Sequence, residues 1–252
     1  FFFKQTTANE MLRSLVGSEM CIRDRDSSSH MATNRLFPVF PIPISIYNLG
    51  KEYHEMNEQL VEDSFVERNR HAHGVDMSNK GGWHSPLGME QRYESFMTLK
   101  TLIEKCSNDY CNQTHNKDGL FVHELWSNIN GPADYNMSHH HGRSALTGVY
   151  YPVGDIIDDE YTFDYQDNVT LIPGSGKLGK GGAVVFEDPG YATKTHLDPV
   201  DEISPYNMGH YCFYPVAGVL IIFPSYLVHM VTPFKEDKTR VSISFCCNYG
   251  TN

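Results

Sequence analysis

The pattern of hydrophobic and polar positions divides the chain in two. From about Glu52 to Arg68, Met56, Leu60, Val61 and Phe65 recur at steps of three and four with acids and amides between them, the period of an amphipathic helix. A second helix is predicted from about Glu90 to Asn112, with Phe96, Leu99, Leu102 and Ile103 on one stripe. After about Leu120 the period changes. "LFVHELWSNI", "LTGVYYPV", "GAVVFED", "GVLIIFP", "YLVHMVTP" and "TRVSISFCC" are short runs, each bounded by Gly, Pro, Asn or Asp, and read as strands. Ahead of the helices, "RLFPVFPIPISIYNL" (35–49) is apolar but carries three prolines. Proline cannot donate to an interior ladder, so this run is predicted to be an edge strand. "SNKGGWHSPLG" (78–88) reads as a loop from its glycines and proline. The stretches 156–182 and 189–209 are the most irregular and are predicted to be loops over a pocket mouth.

A small N-terminal helical flank followed by about eight short strands predicts a mainly β fold, and a jelly-roll closes that number of strands. The expected organisation is one domain over 31–252, with 31–120 forming the flank and edge strand and 121–252 the β core. Residues 1–30 are set apart. "RSLVGSEMCIRDR" (13–25) resembles translated sequencing-adaptor DNA, and it lacks the apolar stretch and cleavage site of a signal peptide. Met31 is the expected start.

Composition narrows the function classes. The net charge of −11 over 252 residues argues against duplex nucleic acid as a partner, because that needs a basic face. No apolar run approaches the length of a membrane span. The six cysteines form no CxxC pair and read as reduced, buried thiols of a cytoplasmic protein. The oligomeric state is left open.

The candidate chemistry sits at two places. "NMSHHHGRSALTGVYY" (136–151) holds three consecutive histidines, and "FPSYLVHMVTPFKEDKTRVSISF" (223–245) supplies His229 and then Arg240. In an extended segment alternate side chains share a face, so His139 and His141 point one way and His140 the other. A close imidazole pair, a distant third imidazole and an arginine one strand later is the layout of a non-haem iron site that also holds a dicarboxylate. Imidazole suits Fe(II), and open coordination positions are what oxygen chemistry needs. The bland alternatives are a solvated His-rich turn, a surface His229, and a half-exposed strand with Arg240, Ser242 and Ser244 in water. In the functional reading the planar fork of Arg240 grips a carboxylate and Ser242 adds a third bond. Alternation alone cannot choose between the two.

Taken in order, "WSNINGPADYNMSHHH", "SALTGVYYPV", "GGAVVFEDP", "GVLIIFPSYLVHMVTP" and "TRVSISF" resemble the iron(II)/2-oxoglutarate-dependent oxygenase superfamily. They look more closely like a family of oxygenases common in marine phage and bacteria. "GGWHS" (81–85) and "LFPVFPIPI" also fit that likeness, which spans nearly everything from Leu36 onward. The resemblance implies a double-stranded β-helix, the cupin-like jelly-roll, with iron at its mouth. It implies His139, His141 and His229 as iron ligands. Arg240, helped by Ser242, would hold the distal carboxylate of 2-oxoglutarate, and Tyr151 matches a tyrosine that reaches the same carboxylate in prolyl-hydroxylase-like relatives. Fe(II), 2-oxoglutarate and O2 are the implied cofactor and cosubstrates, with a small molecule or peptide as substrate.

One departure stands out. The superfamily usually has His-x-Asp at the close pair, and here the third position is His141. Three neutral imidazoles leave a centre carrying doubly anionic 2-oxoglutarate near neutral, where the usual triad leaves it at −1. That keeps two alternatives open. One is a three-histidine cupin-type dioxygenase that does not use 2-oxoglutarate, and the other is a non-catalytic metal-binding jelly-roll. Asp188 is a candidate for a supporting carboxylate beside the ligands. Trp83 and His84 are candidates for a lid, with surface packing as the alternative. His196-Leu197-Asp198 is a literal His-x-Asp that comes late in the strand order. "GSGKLGKG" (174–181) lacks the final Ser/Thr of a phosphate-binding loop, and His71 with His73 has no third ligand nearby.

Overall fold

The computed structural model describes residues 41–49, 53–154, 169–171, 181–190, 209–234 and 237–250. The expected leader at 1–30, the first part of the proline-rich run, most of the "GSGKLGKG" segment and the His196-Leu197-Asp198 triplet lie outside these residues. In chain order the described elements are β1 (Ser45–Asn48), α1 (His54–Arg70), β2 (Asn79–Lys80), β3 (Trp83–His84), α2 (Met89–Arg92), α3 (Glu94–His115), β4 (Leu120–Asn130), β5 (Tyr135–His139), β6 (Leu146–Tyr151), β7 (Val169–Leu171), β8 (Val184–Glu187), β9 (His210–Phe213), β10 (Val219–Pro224), β11 (His229–Val231) and β12 (Arg240–Tyr249). Residues Ile42–Asn252 form one compact unit.

The strands make two six-stranded sheets, ordered β1-β10-β6-β12-β4-β3 and β2-β5-β11-β8-β9-β7. Their pairings are antiparallel throughout. This is the double-stranded β-helix architecture with N-terminal helices against it. The proline-flanked run does form an edge strand: β1 pairs only with β10 in its sheet.

The first sheet is buried on both faces, and the side-chain period of two sorts each strand between them. One face carries Leu146 and Tyr150 of β6, Leu220 and Ile222 of β10, and Val241, Ile243 and Phe245 of β12. These pack with Leu60 of α1, Met89 of α2, and Phe96, Leu99, Ile103 and Tyr110 of α3. The other face carries Tyr151, Val219, Ile221 and Phe223, which pack with Val184 and Phe186 of β8 and Phe213 of β9 in the second sheet. Gly148 marks the tightest approach in β6. A Cβ there would collide with the Ile221 carbonyl and the Phe245 ring, so only glycine lets these layers close.

Several expectations need correction. The helix predicted over 90–112 is broken: α2 ends at Arg92, Tyr93 is extended (φ −132°, ψ 128°), and α3 restarts at Glu94. The break lets the Tyr93 hydroxyl donate to Glu67 Oε2 at 2.8 Å. The stripe expected on α1 is only partly buried. Leu60 is inside, Met56 and Val61 are half-buried, and Phe65 is exposed. The inward face carries Asn57, Asp63, Ser64 and Glu67 instead. Those polar groups are tolerated because each is bonded. Tyr150 donates to Asn57 Oδ1 (2.5 Å), Ser95 to Asp63 Oδ2 (2.5 Å), Ser127 to Ser64 Oγ (2.8 Å), and Arg92 pairs with Glu67 (2.8 Å). The loop expected at 78–88 contains the two-residue strands β2 and β3, and the loop expected at 156–182 contains β7. β5 and β9 add further short strands beyond the expected eight. Cys106, Cys111, Cys212, Cys246 and Cys247 are free and buried, as reduced thiols require.

Candidate metal centre

Two connections in the β fold bring the histidines together. His139 ends β5 and His229 begins β11, and the two residues are directly opposed in the antiparallel ladder. The chain then turns away from β5. The His141 N–H donates to the Ser225 carbonyl (2.8 Å) just past β10, and the Ser144 N–H donates back to the His141 carbonyl (2.9 Å). His141 therefore faces the same point as the opposed pair. The ring centroids lie 4.4 Å apart for His139–His229, 5.1 Å for His139–His141 and 5.3 Å for His141–His229. One nitrogen from each ring can be chosen so that all three lie within 4.8 Å of one another.

The hydrogen bonds fix which nitrogens those are for two of the rings. His139 Nδ1–H donates to the Met137 carbonyl (2.7 Å) and His229 Nδ1–H to the Leu227 carbonyl (2.9 Å). That leaves Nε2 with its lone pair free, the way backbone carbonyls orient metal-binding imidazoles. Burial holds all three rings neutral. It lowers the pKa of His139, and with the charge of neighbouring histidines it brings His141 down to about 4 and His229 to about 3. Neutral imidazole is the ligating form, so the triad suits a divalent cation. His140 is exposed and, against the alternation expected from sequence, also lines the cavity; its Nδ1 accepts from the Gly142 N–H.

Arg240 opens β12 and is 4% exposed. Its Nη1 donates to the Gly182 carbonyl (2.6 Å) and its Nη2 to Asn130 Oδ1 (3.3 Å), while its Nε is buried without a partner. Among the described residues no carboxylate answers this guanidinium, and burial lowers its pKa. Tyr151 lies close by on β6. Burial pushes its hydroxyl up to about 12, with the Arg240 charge pulling the other way. Ser242, 2% exposed, is on the same face of β12. A buried cation with neutral partners and a free donor is incomplete without an anion.

These side chains share one cavity of about 370 Å³. His139, His141, His229, Arg240, Ser242 and Tyr151 all line it. The polar face of β12 therefore points inward, and the bland reading of a strand half in water does not describe it. Other expectations fall differently. Asp188 is not in the cavity lining, and its Oδ1 accepts from the Gly190 N–H (2.8 Å) at the end of β8. Trp83 is no lid: it is buried under the helices and donates from Nε1 to the His71 carbonyl (2.8 Å). His84 is part of the cavity wall, held in β3 rather than in a loop. His71 and His73 are exposed, and His71 faces Glu67 at 3.7 Å. Trp126 and Asn128 also line the cavity and were not singled out from the sequence. The signal was there in the two-residue alternation of Glu124, Trp126 and Asn128 along β4.

Comparison with known proteins agrees with this geometry. Residues 124–246 match the family described as "Putative 2OG-Fe(II) oxygenase". This segment, just under half of the chain, belongs to the 2OG-Fe(II) oxygenase family. The matched segment runs from β4 into β12 and contains all six of the expected site residues. Among solved structures the chain is similar to a Pseudomonas putida prolyl-4-hydroxylase, at 14% identity over 83% of this chain and 94% of that one, with a TM-score of 0.51. It is similar to the epimerase SnoN from nogalamycin biosynthesis, solved with Fe3+, α-ketoglutarate and nogalamycin RO, at 15% identity over 83% and 80% with a TM-score of 0.54. It is also similar to a Trichoplax adhaerens prolyl hydroxylase in complex with a hypoxia inducible factor peptide, at 14% identity over 81% and 83% with a TM-score of 0.51. At these identities the likeness is one of fold. No curated protein matches the chain. Among the described residues no helix is long and apolar enough to cross a membrane.

Proposed function

We propose that the chain is an Fe(II)- and 2-oxoglutarate-dependent dioxygenase that hydroxylates a small-molecule or peptide substrate. The observation that carries this reading is the buried Arg240, which has no carboxylate partner among the described residues and lines one cavity with three converging neutral imidazoles. His139 and His229 would hold the metal through Nε2, with His141 as the third ligand. Arg240 would take the distal carboxylate of 2-oxoglutarate through its free Nε and an Nη group, with Ser242 and Tyr151 adding hydroxyl contacts. When bound, iron and 2-oxoglutarate supply oxidative decarboxylation with O2, releasing succinate and CO2 and delivering one oxygen atom to the substrate. The chain's own part is to orient the dicarboxylate and keep water from the reacting centre. Val149, Val184 and Phe223 around the triad form an apolar lining that serves the second purpose.

The test is anaerobic titration of Fe(II) and then 2-oxoglutarate, followed in air by succinate release. A visible charge-transfer band and 2-oxoglutarate turnover, both lost in His229→Ala, are expected. A second reading is favoured by one feature, the imidazole of His141 where a carboxylate is usual. In a three-histidine dioxygenase that binds its substrate directly to iron, Arg240 would contact that substrate. Absence of any 2-oxoglutarate consumption in the iron-loaded protein would favour this second reading.

A further inference from the structure

We propose that the cavity wall made by Glu124, Trp126, Asn128 and His84 is a subsite for a cationic nitrogen of the substrate, a protonated amine or guanidinium on an aliphatic stem. This deepens the oxygenase reading, on which it rests only for what is then done to the bound molecule.

The four side chains share one face. Glu124, Trp126 and Asn128 alternate along β4, and His84 of β3 sits directly across from Asn128. All four line the cavity. Trp126 stacks on His84 (ring centroids 5.4 Å, 10° between planes) and meets His141 at 5.8 Å, so the wall adjoins the three imidazoles.

Glu124 accepts from the Cys246 thiol and keeps further acceptor capacity, and the atoms that Asn128 and His84 leave without a partner are acceptors. Asn128 Nδ2 donates to Ser244 Oγ (3.1 Å), and its Oδ1 is buried without a partner in a side chain only 6% exposed. His84 Nδ1–H donates to the Ser85 carbonyl (2.7 Å), which makes Nε2 its remaining acceptor. Glu124 is the only carboxylate among the described residues lining the cavity, and Arg240 is the only Lys or Arg. An ionised carboxylate only accepts. The Trp126 ring between these groups offers a π face, which attracts cations.

The two charges stand at opposite ends. Asn130 faces Arg240 in the ladder and Glu124 faces Cys246, which separates the two positions by roughly 20 Å at about 3.3 Å per residue. Arg240 therefore does not serve as the counter-charge of Glu124, and a ligand nitrogen can. At the mouth, Val75, Met77 and Leu87 line the cavity and are 36%, 64% and 50% exposed, an apolar approach suited to a methylene stem.

The test is isothermal titration of the full chain with L-lysine, L-arginine and cadaverine, each beside a neutral counterpart: Nε-acetyl-lysine, citrulline and pentanol. It is run anaerobically with and without Fe(II) and 2-oxoglutarate. At least one cation is expected to bind tenfold or more tightly than its neutral counterpart. Glu124→Gln, which keeps the side chain's shape, should remove that preference, and Asn128→Leu should weaken it, with near-ultraviolet circular dichroism unchanged. Equal binding of charged and neutral members, no binding by any of them, or an intact preference in Glu124→Gln would overturn the proposal. If the wild type distinguishes cations yet fails to take up 2-oxoglutarate with Fe(II), the oxygenase reading falls and the subsite stands. If it takes up 2-oxoglutarate and does not distinguish cations, the subsite falls alone.

Discussion

Replacing Arg240 with methionine separates a structural arginine from a ligand-binding one, because the two roles predict opposite signs. In the ligand-free protein Arg240 is 4% exposed and, among the described residues, its guanidinium bonds to the Gly182 carbonyl and Asn130 Oδ1, with Nε unsatisfied. Those two bonds have a charged donor and contribute about 1.5–3 kcal/mol each, the long Nη2 contact at the low end. Against them stands the effective penalty for burying an uncompensated ion, several kcal/mol. Methionine fills much of the same volume with no charge to desolvate. Arg240→Met should therefore leave the ligand-free protein as stable as the wild type, or raise it by up to about 2 kcal/mol, at roughly 2–4 °C in Tm per kcal/mol. Its affinity for 2-oxoglutarate should collapse. Truncating one partner of a desolvated charge pair costs about 2–5 kcal/mol, or ~30-fold to a few thousand-fold in Kd. Thermal unfolding with and without the ligand reads both effects. At a concentration of 100 times the wild-type Kd, 2-oxoglutarate should stabilise the metal-loaded wild type by about 2.7 kcal/mol and the variant by less than about 1 kcal/mol. A ligand-free variant destabilised by about 3 kcal/mol or more, or a 2-oxoglutarate affinity close to that of the wild type, would refute the reasoning.

Two further outcomes follow from the same contacts. His141→Asp converts the ligand set to two imidazoles and a carboxylate, so Fe(II) should bind at least as tightly. The doubly anionic 2-oxoglutarate should then bind on the order of a hundredfold more weakly, since one added negative charge at ~10 Å in an effective dielectric near 20 costs about 1.7 kcal/mol for each of its two charges; unchanged affinity in a competitive titration would contradict the charge argument. In the helical flank, Glu67 is fully buried and Arg92 is about one-third exposed on its side chain, at 2.8 Å. Arg92→Ala strands a buried carboxylate and should cost about 3–5 kcal/mol. Glu67→Ala leaves a cation that water can reach and should cost less, an order that denaturant unfolding of both variants checks directly.

The mainly β class, the edge strand at β1 and the core strands β6 and β10 were legible because short apolar runs bounded by turn residues leave few alternatives. What was not legible has a common cause. Reading one face of an element as wet assumes that water lies on one side. β12 presents neither face to the outer surface: Val241, Ile243 and Phe245 meet the helices, and Arg240 and Ser242 meet the cavity. The same assumption misplaced α1, whose inward face is polar because Tyr150, Ser95, Ser127 and Arg92 supply partners from elsewhere in the chain. No local pattern announces a partner that far away. β5 is a different case. "YNMSH" is too polar to read as a sheet strand, yet it delivers His139 opposite His229 through backbone pairing alone.

The distribution of unsatisfied atoms says why the cavity exists. Folded proteins pair nearly all their buried polar groups, so leftover ones are informative. Among the described residues five buried side-chain atoms lack a hydrogen-bond partner: Glu67 Oε1, which faces Arg92, and Glu90 Oε2 lie in the helical flank, while Arg240 Nε, Asn130 Nδ2 and Asn128 Oδ1 sit on the paired strands β4 and β12. Two donors lie together where Asn130 faces Arg240, and the acceptor lies at the next inward position. A sheet whose other face is packed with Ile129, Val241 and Ile243 has no structural need for this polar row. Apolar residues there would close the two sheets and remove the penalty. The row is retained at a cost to the ligand-free fold. Under the proposed function a ligand that presents a carboxylate to Arg240 and an N–H to Asn128 would relieve that cost, so the stability of β4 and β12 should report on what the cavity holds.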